Sequence, residues 1–77
     1  MLLKERKMYT LILESNFVEH IIAKHLRDIE HCEETMAYYC LDNNKETTMK
    51  RTWIDNRGRL IYDLGLDDIL FLCAKEK

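Results

Sequence analysis

The sequence predicts a single small α+β domain. In it, an antiparallel sheet of three to four strands carries one long helix on one face, in the order β-α-β-β-β followed by a short terminal helix or strand. Three observations predict this class. Residues 8–15 form a short apolar run, helical periodicity follows, and residues 55–58 resemble a turn between two extended arms. Because 77 residues cannot bury two separate cores, residues 1–77 are expected to be one domain.

The first predicted elements are a strand, MYTLILES at residues 8–15, and a helix that begins directly after it. Asn16 and Glu19 match a capping box, in which two side chains satisfy backbone amides of the first helical turn. An apolar stripe at steps of four and three continues from there through Val18, Ile22, His25, Ile29, Cys32 and Met36. The helix is therefore expected to extend to about residue 34, and residues 1–7 are expected to be a disordered leader.

Two later segments leave helix and strand open. MAYYCL at residues 36–41 contains adjacent tyrosines, which favour a strand, and LDNNKE after it resembles a turn. Residues 66–75 have apolar side chains at helical spacing, whereas the run ILFLCA within them suits a buried strand equally well. We expect a strand in the first segment. In the second we expect a helix, because Asp67 and Asp68 suit a helix start.

The clearest local pattern is a hairpin within TTMKRTWIDNRGRLIYDL, residues 47–64. The run from Asp55 to Gly58 is typical of a type I turn with glycine in the left-handed position. The second arm has one fully apolar face, formed by Leu60, Tyr62 and Leu64. The first arm mixes basic and apolar residues on both faces. A strand that only covers a core should alternate cleanly, so this mixture favours a binding surface.

Charge is distributed in blocks along the chain. Residues 45–59 carry five basic and two acidic side chains, a net charge of +3, whereas residues 11–44 carry two basic and seven acidic ones, a net charge of −5. The whole chain has a formal net charge of −2 and an isoelectric point near 5.9. Dedicated nucleic-acid domains are usually far more basic, which counts against that class. The hairpin is a basic patch within an acidic protein.

The residues that could carry metal or catalytic chemistry do not form a recognisable motif. On the predicted helix, His20 and His31 would lie about 16 Å apart along the axis, too far to share one ion. Cys32 follows His31 directly, but neighbours on a helix point about 100° apart, so this pair does not resemble a nucleophile with its base. Two glycines in the whole chain are too few for a phosphate-binding loop. We therefore expect no enzyme, no metal and no cofactor.

Cysteine usage and hydropathy indicate a compartment. The chain has three widely spaced cysteines, an odd count that suits reduced thiols. We recognise no secretory signal, and no apolar run approaches the roughly 18 residues of a membrane span. These features predict a cytoplasmic protein without a membrane contact.

The favoured function is a small, non-enzymatic protein-binding or regulatory module. By analogy of size and charge, it resembles the inhibitors that phages and mobile elements carry. It would act through the acidic helix, the basic aromatic hairpin, or both, because arginine, tryptophan and tyrosine are enriched at interface centres. The candidate binding residues on the hairpin are Lys50, Arg51, Trp53, Arg57, Arg59 and Tyr62.

Two further partner types stay open. In the alternative function, a nucleic-acid-binding accessory protein, the same four cations would contact phosphates while Trp53 or Tyr62 stacks a base. Self-association as a homodimer is the other expectation. Phe71 and Leu72 would lie off the core stripe of a terminal helix and would need to be covered.

Overall fold

The computed structural model describes residues 8–42, 51–66 and 68–76, which form five strands and one helix. Their order is β1 (Tyr9–Ser15), β2 (Val18–Leu26), α1 (Ile29–Asp42), β3 (Arg51–Ile54), β4 (Leu60–Asp63) and β5 (Ile69–Lys75). The strands form one antiparallel sheet in the spatial order β2-β1-β5-β4-β3. The predicted α+β class is confirmed, but the predicted strand number and element order were wrong.

The first predicted strand is confirmed as β1, whereas the helix predicted to follow it was wrong. Asn16 and Phe17 both adopt the left-handed conformation, with φ of 52° and 65°, and Ser15 pairs with Val18 across them. They are the two-residue turn of a β1–β2 hairpin. Asparagine tolerates this conformation because its short polar side chain can hydrogen-bond locally. The residue that resembled a helix cap is thus a turn residue.

Phe17 is a strained position that glycine should relieve. A bulky side chain in the left-handed region costs about 1–2 kcal/mol, and this one is 99% exposed, so it gains no packing in return. We expect Phe17→Gly to raise the free energy of unfolding by about 0.5–1 kcal/mol after the entropy cost of glycine. Urea denaturation measures the change. Phe17→Ala is the matched control, since it removes the ring but keeps the strain. An equal gain in both variants would contradict the explanation.

Helix α1 begins at Ile29, and its start has a real cap. Asp28 Oδ1 accepts a hydrogen bond from the His31 backbone amide at 2.8 Å, and the Arg27 amide donates to His31 Nδ1 at 3.4 Å. The helix includes residues 36–41, so the strand predicted there was wrong. The buried face continues the second half of the predicted stripe and consists of Cys32, Met36 and Cys40.

The predicted hairpin is confirmed at its centre as β3, β4 and the turn between them. Gly58 has φ of 77° and its amide donates to the Asp55 carbonyl at 3.0 Å, while the Asp55 amide donates to the Arg59 carbonyl at 3.0 Å. Trp53 pairs with Ile61 across the two arms. The part of the first arm before residue 51 lies outside the described residues, as do the predicted leader at residues 1–7 and most of the turn after residue 41.

The final segment is strand β5, so the preferred terminal helix was wrong and the alternative strand is confirmed. Phe71 and Leu72 are each 1% exposed and lie on opposite faces of the sheet. Phe71 makes an edge-to-face contact with Tyr39 of α1, with ring centroids 5.8 Å apart. The prediction that Phe71 and Leu72 are exposed, which was the reason to expect a homodimer, is therefore wrong.

The main core lies between α1 and one face of the sheet. Besides the buried face of the helix, it contains the buried side chains of Leu11, Leu13, Leu26, Tyr62, Leu64, Phe71 and Cys73. On the other face, the strand register places one row of apolar residues across all five strands: Trp53, Ile61, Leu72, Ile12 and Ile21. No helix within the described ranges is long and apolar enough to cross a membrane.

Candidate binding surface

The structure divides the six predicted binding residues into exposed and engaged ones. Arg51, Trp53 and Arg57 are exposed on the β3–β4 hairpin. Tyr62 is buried and Arg59 is largely covered. Lys50 lies outside the described residues. The available surface is therefore smaller than the six residues suggested, and their role in binding stays a prediction.

Trp53 and Arg51 form the ordered part of this surface. Trp53 is 39% exposed, and the Arg51 guanidinium lies 5.5 Å from the centre of its ring, within the range of a cation–π contact. Arg51 Nη2 also lies 3.5 Å from Asp63 Oδ2 on the paired strand. These two contacts restrain the arginine beside the indole. Both side chains are therefore partly arranged before any partner arrives.

Ile54 extends the surface to the other face of β3, and the sequence-based list of sites missed it. Its side chain is 68% exposed. The signal was present, because the first arm was already mixed on both of its faces. β3 is also the last strand of the sheet among the described residues. The Asp55 amide donates to the Arg59 carbonyl, so these two residues form a hydrogen-bonded pair. Because such pairs alternate along an antiparallel ladder, the backbone N–H and C=O groups of Thr52 and Ile54 point away from β4.

Arg59 is held by two carboxylates. Its Nε donates to Asp55 Oδ2 at 2.8 Å, and its Nη1 donates to Glu19 Oε2 at 3.0 Å. These hydrogen bonds, the one to Asp55 first, raise the pKa of Arg59. The side chain is only 19% exposed. A guanidinium engaged on both sides is poorly placed to contact phosphate.

The Arg59–Glu19 ion pair explains how the sheet face away from α1 is covered. Arg59 precedes Leu60, which pairs with Cys73 near the C-terminal end of β5. Glu19 pairs with Glu14 near the C-terminal end of β1, which is the opposite end of the sheet. The two side chains thus start from diagonally opposite corners. The twist of a sheet curls such corners toward the same face, where these two meet. Ile61 and Leu72 lie on that face and are buried without the helix.

Tyr62 belongs to the core and connects the sheet to the helix. Its side chain is 1% exposed, and its hydroxyl donates to Glu33 Oε2 at 2.9 Å. Burial, and then this carboxylate, raise the pKa of Tyr62 far above its usual value. A buried phenol held in this way has no face open for stacking on a base.

Asp55 organises the turn and makes the hairpin sensitive to acid. Its carboxylate accepts hydrogen bonds from the amides of Arg57 and Arg59 and from Arg59 Nε. Desolvation alone would raise its pKa, but the hydrogen bonds from Arg59 and Arg57 outweigh that effect and hold the pKa of Asp55 below its ordinary value.

A lowered folded-state pKa means that the stabilisation from Asp55 is complete above the unfolded-state pKa, about 3.9, and is lost as the pH falls through the folded value. We expect the wild type to lose more stability than Asp55→Asn between pH 5 and pH 2, measured by urea unfolding at each pH. Asp68→Asn removes an exposed carboxylate elsewhere and is the matched control. Parallel curves for wild type and Asp55→Asn would refute this role.

Two grooves flank the sheet at opposite ends. The first, the basic groove, has a volume of about 370 Å³, with a floor of Ile29, Leu60 and Cys73 and a rim of Tyr9, Ile54, Arg57 and Lys75. The second, the acidic groove, has a volume of about 270 Å³ and places Glu14, Asp63 and Asp68 near Phe17 and Leu66. The hairpin borders the first groove through Ile54 and Arg57.

The three cysteines are buried free thiols. Cys32 Sγ and Cys73 Sγ lie 2.7 Å apart between α1 and β5, and burial raises the pKa of both thiols. A thiol of raised pKa is a weak nucleophile at neutral pH. His25 Nδ1 lies 2.9 Å from Glu76 Oε1. Within the part of the chain that the structure describes, no three His, Cys, Asp or Glu side chains are grouped to hold a metal ion.

Comparison with protein-family models, with curated proteins and with solved structures found no significant match to this chain.

Proposed function

We propose that this chain is a small, non-enzymatic protein-binding module of regulatory or inhibitor type, and that its partner docks on the β3–β4 hairpin. The observation that carries the proposal is the surface of β3. One edge strand presents the apolar side chains of Trp53 and Ile54 on its two faces, with the backbone groups of Thr52 and Ile54 directed outward. An edge of this kind suits the addition of an extended segment from another protein.

The energetics of such an interface favour Trp53 as its centre. Tryptophan and arginine are the residue types most enriched among binding hot spots. Arg51 already lies against the indole, so less conformational freedom is lost on binding than for two freely rotating side chains. Arg57 is exposed at the turn, and its guanidinium forms no ion pair with a carboxylate among the described residues. The hairpin is therefore suited to an acidic partner surface.

The outer face of α1 is a weaker candidate for the same role. It presents Glu30, Glu34 and Tyr38, which are all exposed. Glu33, by contrast, turns inward to Tyr62. The face offers one large apolar side chain and no backbone donors, because helical amides are satisfied within the helix. It serves best as the matched control surface for experiments on the hairpin.

The nucleic-acid alternative has less support. Two of its proposed groups are engaged elsewhere, since Arg59 is paired with Asp55 and Glu19 and Tyr62 is buried. Arg51 and Arg57 alone give a small phosphate footprint. We also propose a cytosolic location, which the three buried free thiols support.

The first test combines capture with reconstitution. Tagged wild type, Ile54→Asp and Tyr38→Ser are used in parallel to capture proteins from a cell extract, and each candidate is purified and titrated directly. The proposal requires a purified protein that binds wild type and Tyr38→Ser alike but binds Ile54→Asp at least about tenfold more weakly. Loss with Tyr38→Ser alone would move the site to α1.

A second titration addresses the alternative. Labelled single- and double-stranded oligonucleotides are titrated with the protein at low and moderate salt, and fluorescence anisotropy is measured. Binding that collapses with salt and weakens in Arg51→Ala and Arg57→Ala would replace the protein-binding proposal with the nucleic-acid function.

A further inference from the structure

The basic groove is built from four separate parts of the fold. Tyr9 comes from the start of β1, Ile29 from the first residue of α1, Ile54 and Leu60 from the hairpin, and Lys75 from the end of β5. Its volume of about 370 Å³ lies within the usual range for pockets that receive a ligand or an anchoring side chain. The floor is apolar, and the hairpin proposed above forms one wall.

The charge of the groove is opposite to that of the chain. Arg57 and Lys75 are exposed at its rim, and neither charged side-chain group forms an ion pair with a carboxylate among the described residues. The two nearest carboxylates along the chain are already engaged. Asp55 accepts from Arg59, and Glu76 accepts from Thr10 and His25. Two uncompensated cations therefore flank an apolar floor in a protein of net charge −2.

The strand register links this groove to the edge of β3. Ile54 pairs with Leu60, and Leu60 with Cys73, so Ile54 lies on the sheet face that carries the groove. A segment added beside β3 would place every second side chain on that face. A central side chain on that face would lie over the apolar floor. Lys75 lies two residues beyond Cys73, on the turn side of Leu60. The segment residue two positions toward the turn would therefore lie near both Arg57 and Lys75.

We propose that the basic groove recognises an extended acidic segment of the partner, with one apolar side chain and a carboxylate two positions from it on the turn side. The pattern is an apolar residue, any residue and an acidic residue, in either chain direction. The apolar side chain packs on Ile29, Ile54 and Leu60, and the carboxylate lies between Arg57 and Lys75. This inference rests on the proposed function, because the segment is expected to add to β3.

Synthetic peptides test the pattern without knowledge of the partner. The probe is a blocked nonapeptide with leucine at its centre, glutamate two positions to each side, and threonine elsewhere, so that either strand direction places one glutamate on the turn side. One control has lysine in place of both glutamates, and a second has serine in place of leucine. Each is titrated into ¹⁵N-labelled protein. The probe should shift the amides of Gly58, Leu60 and Lys75, and both controls should bind at least about fivefold more weakly.

Charge-reversal variants locate the contacts. Arg57→Glu and Lys75→Glu should each weaken the probe at least about fivefold, because an attraction becomes a repulsion. Lys24→Glu makes the same change at an exposed position on β2, and should leave the affinity within about twofold. The dispersion of the amide spectrum shows whether each variant is folded. Equal weakening by Lys24→Glu would overturn the site, since it would indicate only a general charge effect.

The remaining outcomes separate the groove from the hairpin. Absence of binding, or equal binding of all three peptides, would overturn the groove. Shifts confined to Arg51, Thr52 and Trp53 would also overturn it and leave the proposed function standing. A labelled 12-mer oligonucleotide that displaces the probe from Gly58 and Lys75 would assign the groove to polyanions instead. If the groove variants leave a purified partner's affinity unchanged while Ile54→Asp lowers it, only the groove is overturned.

Discussion

Replacing Phe71 with alanine is expected to lower the free energy of unfolding by about 3–5 kcal/mol, the usual cost of emptying a buried aromatic site. Phe71 lies on the central strand β5, is 1% exposed and packs edge-to-face on Tyr39 of α1. The change therefore removes both core volume and a contact between sheet and helix. A domain of this size is stabilised by about 5–15 kcal/mol at most, so the variant should lie close to its unfolding threshold.

Guanidinium denaturation of Phe71→Leu and Phe71→Ala makes the test quantitative even if the second variant does not fold. The leucine variant should lose less stability, because it keeps most of the apolar volume.

Leu72→Ala should also lower the free energy of unfolding, by about 2–5 kcal/mol, since Leu72 is buried on the opposite sheet face. Lys75→Ala changes an exposed residue of the same strand and should cost little. Tolerance of both Phe71→Ala and Leu72→Ala would favour the terminal helix that the charge pattern suggested.

The elements that could be predicted from the sequence are those whose signals are local. The turn from Asp55 to Gly58 is determined by its own residues, namely a carboxylate that accepts hydrogen bonds from backbone amides and a glycine with φ of 77°. The apolar face of β4 follows from strict alternation around Tyr62. The buried face of α1 follows from Cys32 and Met36, which repeat at helical spacing. In each case the pattern that identifies the element lies within a few residues of sequence.

Strand β2 could not be predicted because its alternation is broken. The register shifts twice along the β1–β2 pair, and His25 adopts φ of 62°. Extra residues in one strand of a pair disrupt the period of two. The remaining apolar positions then happened to match steps of four and three. The turn at Asn16 and Phe17 added a residue that resembles a helix cap. An accidental periodicity and an ambiguous turn residue therefore supported each other.

The site was only partly predictable for a different reason. Exposure depends on which face a residue occupies and on what the twisted sheet brings to it. Arg59 is engaged because Glu19, forty positions away in sequence, reaches it across the sheet. Tyr62 is buried because α1 packs on its side and Glu33 binds its hydroxyl. Neither contact has a local signature. Residue type therefore predicted a basic hairpin, but long-range packing determined which of its members remain available.

The second large effect is expected at the interface. Trp53→Ala should weaken binding of a purified protein partner by at least about 2 kcal/mol, or roughly 30-fold, because a buried tryptophan at the centre of an interface is the commonest hot spot. The loss should depend weakly on salt, since it removes apolar contact. Trp53 is 39% exposed in the free protein, so the same change should cost only about 1 kcal/mol of stability. Isothermal titration and urea unfolding measure the two quantities separately.

Tyr38→Ala is the matched control, because it removes an aromatic side chain that is exposed on α1. It should leave the affinity within about twofold if the hairpin is the contact surface. The Trp53 ring is in contact with Arg51, so the contribution of the pair to binding is best measured by a double-mutant cycle of Trp53→Ala, Arg51→Ala and the double variant. A coupling energy near zero would mean that the two residues contact the partner independently. If Trp53→Ala instead unfolds the protein, Trp53 is a core residue. The main observation that favours the hairpin as a binding surface would then be removed.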